Sequence, residues 1–214
     1  MRLEDYTADA ICQAMDLSGF IEPCWTQAEK PTLRVVLTPS FLPELCITVA
    51  CTGESAALSV VALAEQFWAR RGEVCSPSDH EQVQLPAGAF EELLGLFQEA
   101  HTALDPERQC VWLDGMGSES CLVSLAGTQR LRAHVSTTQA LGKFVGRLVE
   151  LAWSGCQGPK LRNALARAAS YLNIKYPLEV EPPQRPVTRL AILGTPDQRR
   201  DYLEMLRRNK KEKG

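Results

Sequence analysis

The chain has 214 residues, of which 45% are hydrophobic and 23% are charged, and its formal net charge is −3. This hydrophobic content excludes a disordered polypeptide and is sufficient for one sizeable core. No apolar stretch reaches the roughly 18 residues of a membrane-spanning helix, and the first residues are acidic, whereas a signal peptide begins with basic ones. We therefore expect a cytoplasmic protein that does not engage a membrane.

The charge is divided unevenly along the chain. Residues 1–158 carry 10 Lys and Arg against 20 Asp and Glu, a net charge of −10, and residues 159–214 carry 13 against 6, a net charge of +7. Prolines cluster after the last well-patterned helix, where they exclude a helix or a central strand. We predict an acidic domain over residues 1–173, a proline-rich linker over 174–188 and a basic strand-helix appendage over 189–214.

The first predicted elements are a helix and three strands. Residues 4–17 have the apolar spacing of a short amphipathic helix, and the runs at 33–37, 45–51 and 57–64 are typical of strands. Because the connections are too short for crossovers, the three strands are expected to form an antiparallel meander. A polar loop and a short strand at 82–85 follow.

A helix then opens at Pro86, and its apolar residues share one face at the i, i+3, i+4 and i+7 positions, which predicts a buried stripe. The stripe consists of Phe90, Leu93, Leu94 and Phe97.

The second block of three strands begins at Cys110–Asp114, which is followed by a turn predicted at Gly115–Ser118. Strands are expected at 119–125 and 130–135. The segment Ser136–Gln139 is a capping box, in which the first side chain bonds the backbone of the fourth residue, so a helix begins there. Pro159 opens a further helix.

Together these elements predict an α+β fold. It consists of an antiparallel sheet of about six strands in two β-meanders, with helices packed on one face. A C-terminal basic helix, which starts at a second capping box at Thr195–Gln198, completes the chain.

The chain contains eight cysteines. We expect them to be reduced in the cytoplasm, and most lie in apolar stretches where a thiol behaves as a small hydrophobic side chain. The nearest pair, Cys46 and Cys51, has an odd spacing on a strand, so the two side chains point to opposite faces and cannot share a zinc ion. We therefore expect no metal and no other cofactor.

No catalytic motif stands out in the sequence. Gly115–Ser120 resembles a phosphate-binding glycine loop but lacks both a third glycine and a following helix, so we interpret it as a hairpin turn. No histidine has a nucleophile near it in the sequence. The three histidines are His80, His101 and His134. The enzymatic alternative is a thiol-dependent hydrolase or transferase that uses Cys75 or Cys121.

Two basic sets are candidates for binding a partner. One is the polar face of the strand at 130–135, and the other is the tail helix, whose basic residues flank a short apolar stripe. The candidate residues are Arg130, Arg132, His134, Tyr202, Arg207 and Arg208. Because the acidic body would repel a polyanion, we expect the tail to dock on protein, either its own body or a partner. The alternatives are a free solvated tail and nucleic-acid binding.

Two segments carry a resemblance to known proteins. Thr32–Leu37 with Ser40-Phe41, and then Leu113–Gly115, resemble a loosely defined group of uncharacterised bacterial proteins over residues 31–154, which implies an α+β fold without a known activity. The order of elements is also similar to that of class I type III secretion chaperones, from which this chain departs by an extra strand and its basic tail. These chaperones are small acidic dimers, so this resemblance implies a secretion effector as partner and leaves a homodimer open.

For function, we expect a non-catalytic protein-binding module, such as a bacterial immunity protein or antitoxin that neutralises a toxin. An acidic surface speeds the capture of a basic partner. The alternatives are a chaperone-like protein that binds a secretion effector, and the thiol-dependent enzyme.

Overall fold

The computed structural model describes the chain in six stretches. These are residues 7–22, 24–25, 30–52, 55–67, 77–104 and 115–179. The chain divides into two units, Met1–Val180 and Glu181–Gly214, and the whole of the second unit lies outside the described residues. The predicted tail helix, with Tyr202, Arg207 and Arg208, falls in that second unit.

The described residues form four helices and six strands. In chain order they are α1 (Ala8–Ala14), β1 (Thr32–Pro39), β2 (Leu45–Thr52), β3 (Ser55–Leu63), β4 (Pro77–Gln84), α2 (Ala89–Ala103), β5 (Met116–Ser124), β6 (Gly127–His134), α3 (Gln139–Gly155) and α4 (Pro159–Ser170). The predicted α+β class is confirmed.

All six strands belong to one antiparallel sheet in the order β4-β3-β2-β1-β5-β6. Strands β1 to β4 form one meander, and β5 and β6 form a hairpin. The strand predicted at 110–114 lies outside the described residues. The connection through α2 carries the chain from β4, at one edge, to β5 beside β1. The side chains of β1 from Thr32 to Leu37 are all buried, because helices cover both faces of the sheet at this central strand.

Two local predictions are wrong. Residues 116–118 of the predicted turn Gly115–Ser118 belong to β5. They pair with β1 on one side, and residues 117 and 118 also pair with β6 on the other side. Residues 77–81 of the polar loop predicted at 75–81 likewise belong to β4, which pairs with β3 from Pro77 onward. In both places the ladder hydrogen bonds to a neighbouring strand outweigh the weak strand preference of the local sequence.

The helix α3 is confirmed, but its predicted cap is wrong. The N-cap is Thr138, whose hydroxyl oxygen accepts a hydrogen bond from the Leu141 N–H at 3.1 Å. The predicted cap, Ser136, is engaged by His134 instead, with 2.7 Å between Ser136 Oγ and His134 Nδ1.

The helices α2, α3 and α4 cover one face of the sheet and enclose the larger core. Phe97 of α2 and Phe144 of α3 are fully buried and meet edge to face, with their ring centroids 5.6 Å apart. They share this core with strand residues such as Ile47 and Val60. Leu94, predicted for the same stripe as Phe97, is only partly buried.

The helix α1 adds a smaller layer on the opposite face. The expectation that the helices pack on one face is therefore correct for α2, α3 and α4 and wrong for α1. Ile11 and Cys12 of α1 pack there against Val36 and Cys46 of the sheet. The sequence of this seven-residue helix does not indicate which face of the sheet it covers, because that depends on which face the other helices leave uncovered.

Arg34 projects from the central strand into this second layer and is 2% exposed. Its Nε donates to Thr48 Oγ1 at 2.9 Å, and its guanidinium pairs with Glu22 at 2.6 Å and also donates to the Gly19 carbonyl oxygen. The guanidinium carbon lies 4.2 Å from the centroid of the Trp25 ring. Arg34 therefore anchors the chain that follows α1 to the middle of the sheet.

Candidate functional site

A groove runs along the outer side of α3, between α2 and the chain segment 171–176. Its volume is about 990 Å³ and it is open to solvent. Glu92 and Leu96 of α2 form one side, and Gly142 and Gly146 lie in the floor.

The segment 171–176 forms the second wall because the chain reverses after α4. Asn173 has a φ of 61°, in the left-handed region that Asn tolerates better than most residues. The next residue, Ile174, donates its N–H to the Ala169 carbonyl oxygen at 3.0 Å. A Cβ at Gly146 would lie 3.4 Å from Ile174 Cδ1, so the absence of a side chain at Gly146 brings this wall close to α3.

An ionic network fixes the first wall. The Arg147 guanidinium of α3 binds both carboxylate oxygens of Glu92 on α2, at 2.9 to 3.1 Å, and also Glu150 at 2.9 Å. These hydrogen bonds, first to Glu92 and then to Glu150, raise the pKa of Arg147 above its ordinary value. The two-pronged bond to Glu92 sets the spacing of α2 and α3 along the groove.

Aromatic stacking fixes the second wall. The Tyr176 ring lies flat on the Trp153 ring of α3, with centroids 4.3 Å apart and an interplanar angle of 9°. The Arg162 guanidinium carbon lies 4.2 Å from the Trp153 ring centroid. Burial raises the pKa of the Tyr176 hydroxyl, which stays protonated and able to donate a hydrogen bond. The first residues of the predicted linker, 174–179, are thus packed against the helices, and Glu179 N–H also donates to Asn163 Oδ1 at 2.9 Å.

The groove combines aromatic, apolar and charged side chains from three separate stretches of chain. Tyr and Arg side chains are enriched where proteins bind each other, and a volume near 990 Å³ is at the upper limit of small-molecule sites. An open groove of this size suits a segment of polypeptide. The local sequence feature that indicates the groove is the four-residue spacing of Gly142 and Gly146. This spacing does not show which residues face the two glycines across the groove.

The predicted strand residues lie away from the groove, on the α1 side of the sheet. Arg130 and Arg132 are exposed on one face of β6, and Leu131 between them is buried on the other. The Arg130 guanidinium carbon is 5.9 Å from the Phe20 ring centroid, and Arg132 Nε is 3.8 Å from a Glu119 carboxylate oxygen. These two arginines form a separate surface.

His134, the third predicted strand residue, is occupied by its neighbours. Its Nε2 accepts the Met116 N–H at 3.1 Å, and its Nδ1 lies 2.7 Å from Ser136 Oγ and accepts the Ser136 N–H at 3.3 Å. A Cβ at Gly115 would fall 1.9 Å from His134 Nε2, so this ring fits only because residue 115 is glycine.

The other two histidines have different surroundings. His80 lies in β4, with Nε2 2.9 Å from Ser59 Oγ on an exposed part of the sheet. A serine nucleophile needs N–H donors that can stabilise the oxyanion. Because β3 pairs with β2 on one side and with β4 on the other, the backbone N–H groups around Ser59 are engaged in the sheet. The His101 ring is 6.1 Å from the Phe97 ring at the end of α2.

Cys121, one of the two thiols of the enzymatic hypothesis, is fully buried in the layer under α1. Its Sγ donates to the Phe20 carbonyl oxygen at 3.6 Å, and burial raises the pKa of this thiol to about 12. Because the thiolate is the nucleophile, these surroundings make Cys121 inert. The other candidate, Cys75, lies outside the described residues.

We expect Cys121 to resist alkylation in the folded protein. A buried thiol with a raised pKa is almost wholly protonated at mildly alkaline pH, whereas Cys24 is exposed. Brief maleimide treatment followed by peptide mass spectrometry should label Cys24 and leave Cys121 unlabelled until denaturant is added. Labelling of Cys121 as fast as Cys24 would contradict this expectation and favour a thiol-dependent enzyme.

Within the described stretches, no three or more His, Cys, Asp or Glu side chains are arranged to hold a metal ion. None of the described helices has the length and apolar character needed to cross a membrane. Comparison of the chain with protein-family models, with curated proteins and with solved structures finds no match.

Proposed function

We propose that this protein is a non-catalytic protein-binding module that holds a segment of a partner protein in the groove on α3. The groove itself carries the proposal, since its two walls are fixed before any partner arrives. Arg147 joins α3 to Glu92 on one side, and Tyr176 stacks on Trp153 on the other. A preformed site loses less entropy on binding than one that must be ordered by its ligand.

We propose that the partner is a basic protein of the same cell, and a toxin is the first candidate. This chain would then act as an immunity protein or antitoxin. The negative charge of α2 supports a basic partner. Glu91 and Glu99 are exposed on α2, the helix that forms the first wall of the groove. Clustered carboxylates attract a basic partner over several ångströms and speed its capture.

Site-specific crosslinking tests the groove directly. A photoreactive amino acid is placed at Lys143, which is exposed in the groove, or at Lys160, which is exposed on α4 and does not line it. After illumination of native cells, we expect a covalent adduct from position 143 and none from position 160. Equal adducts from both positions, or none from 143, would contradict the proposal.

The partner identified in this way is then purified and its binding measured. Lys143→Trp places a bulky ring in the groove and should weaken binding by about tenfold or more, whereas the matched Lys160→Trp should leave it within about twofold. If the partner arrests growth when expressed alone and coexpression of this protein relieves the arrest, the partner is a toxin. A partner that is secreted instead would replace the toxin hypothesis with the secretion-effector one.

A further inference from the structure

The outer edge of β6 is a second surface, separate from the groove. In the described sheet β6 is the terminal strand, hydrogen-bonded to β5 on its inner side. The strand is exposed from Gly127 to Arg130 and again at Arg132. An edge strand of this kind presents unpaired backbone donors and acceptors to other chains.

The register shows which backbone groups face outward. Val135 N–H donates to the Met116 carbonyl oxygen at 3.0 Å, so this pair bonds across the ladder. Bonded and non-bonded pairs alternate in antiparallel strands, so Leu131 bonds inward to β5. The N–H and C=O groups of Arg130 and Arg132 therefore point to the open edge.

The side chains of these two residues give the edge a positive charge. Arg130 and Arg132 project from the same face of β6, because residues two apart on a strand share a face. Arg132 is 72% exposed, and the carboxylate facing it, that of Glu119, lies 3.8 Å away and compensates one of the two charges at most.

We propose that the edge of β6 binds an extended acidic segment of a partner protein by strand addition. The added strand would exchange main-chain hydrogen bonds with Arg130 and Arg132 and place carboxylates beside their guanidinium groups. Main-chain bonds supply affinity in this mode of recognition, and the alternate side chains supply specificity. Opposite charges on directly paired residues of neighbouring strands stabilise the pairing.

Charge disfavours a second copy of this chain as the occupant. Two β6 strands paired antiparallel about Leu131 would set Arg130 of each opposite Arg132 of the other. A pairing centred on Arg130 or on Arg132 would set that arginine opposite itself. Like charges opposite each other destabilise a strand pair, so the edge repels its own copy and selects an acidic partner.

Peptide binding to the full chain tests this inference. The probe is a fluorescent peptide in which Glu and Val alternate, and binding is followed by anisotropy and by the backbone amide signals of residues 128–134 in NMR spectra. We expect saturable binding with the largest shifts at Arg130 and Arg132. The same peptide with Lys in place of Glu should bind more weakly by about tenfold or more.

Two controls separate strand addition from general attraction of charges. Methylation of alternate peptide nitrogens removes the main-chain donors and keeps every carboxylate, and it should weaken binding by about tenfold or more. On the protein, Arg130→Glu with Arg132→Glu should abolish binding, whereas Lys160→Glu with Lys175→Glu, two charge reversals elsewhere on the surface, should change it by less than about twofold. Equal binding of the methylated peptide, or equal loss in both double variants, would overturn the proposal.

This inference stands apart from the function proposed for the groove. Lys143→Trp should leave peptide binding at the β6 edge unchanged, and the double arginine variant should leave crosslinking from position 143 unchanged. Failure at one surface therefore does not bear on the other.

Discussion

Replacing Phe97 with alanine should lower the free energy of unfolding by about 3–5 kcal/mol. Phe97 is fully buried between α2 and α3, where its ring meets that of Phe144 at 5.6 Å and an interplanar angle of 73°. Removing the ring forfeits its burial and leaves a cavity that the helices cannot fully close. Equilibrium unfolding in guanidinium chloride, followed by circular dichroism, measures the change.

Phe41→Ala is the matched control because Phe41 is 68% exposed, and we expect its effect to stay within about 0.5 kcal/mol. Phe144→Ala should resemble Phe97→Ala, and the double variant should reveal a coupling of about 0.5–1.5 kcal/mol between the two rings. Leu94→Ala should cost less than Phe97→Ala, since Leu94 is only partly buried. Equal, small effects at positions 41, 97 and 144 would mean that the helical layer does not pack as described.

Replacing Arg34 with alanine should lower the free energy of unfolding by about 3 kcal/mol. The substitution leaves Glu22 and the Gly19 carbonyl oxygen without the guanidinium that they share, and it removes the stacking of this guanidinium on the Trp25 ring. Near-ultraviolet circular dichroism should also change, because Trp25 loses the group beside it. The same denaturant titration measures the stability.

Arg132→Ala is the control for the loss of an arginine on this side of the sheet, and it should cost less than about 1 kcal/mol because Arg132 is mostly solvated. Arg34→Lys should recover part of the lost stability, since an ammonium can pair with Glu22 but cannot reach Thr48 and Gly19 at the same time. Equal effects of Arg34→Ala and Arg132→Ala would show that Arg34 does not anchor the segment after α1.

Local patterns in the sequence were sufficient to predict most of the elements. Alternation between buried and polar residues is repeated along β6, where Leu131 faces the core and Arg130 and Arg132 face solvent. The spacing of Phe90 and Phe97 predicts the buried face of α2 for the same reason. These signals succeed because the period of a strand or helix is a property of a few consecutive residues.

Predictions failed where a contact that the local pattern does not specify decides the local structure. Ser136 has the sequence of a helix cap, but His134 occupies its hydroxyl and Thr138 caps α3. The turn expected at Gly115–Ser118 is strand from Met116 onward because β1 pairs with it. Strand β1 is far from residues 116–118 in the sequence, whereas His134 and Thr138 lie within two residues of Ser136 and their side-chain contacts decide the cap.

By itself, the sequence determined the α+β class, the faces of its helices and strands, and the division between an acidic and a basic part. Only the tertiary structure decided that β5 lies beside β1, that β6 is an edge and that a groove follows α3. Each of these depends on residues far apart in the chain, such as Glu92 with Arg147 and Gly146 with Ile174. Periodicity shows which face of an element is buried, whereas the element that packs against that face is chosen by the fold as a whole.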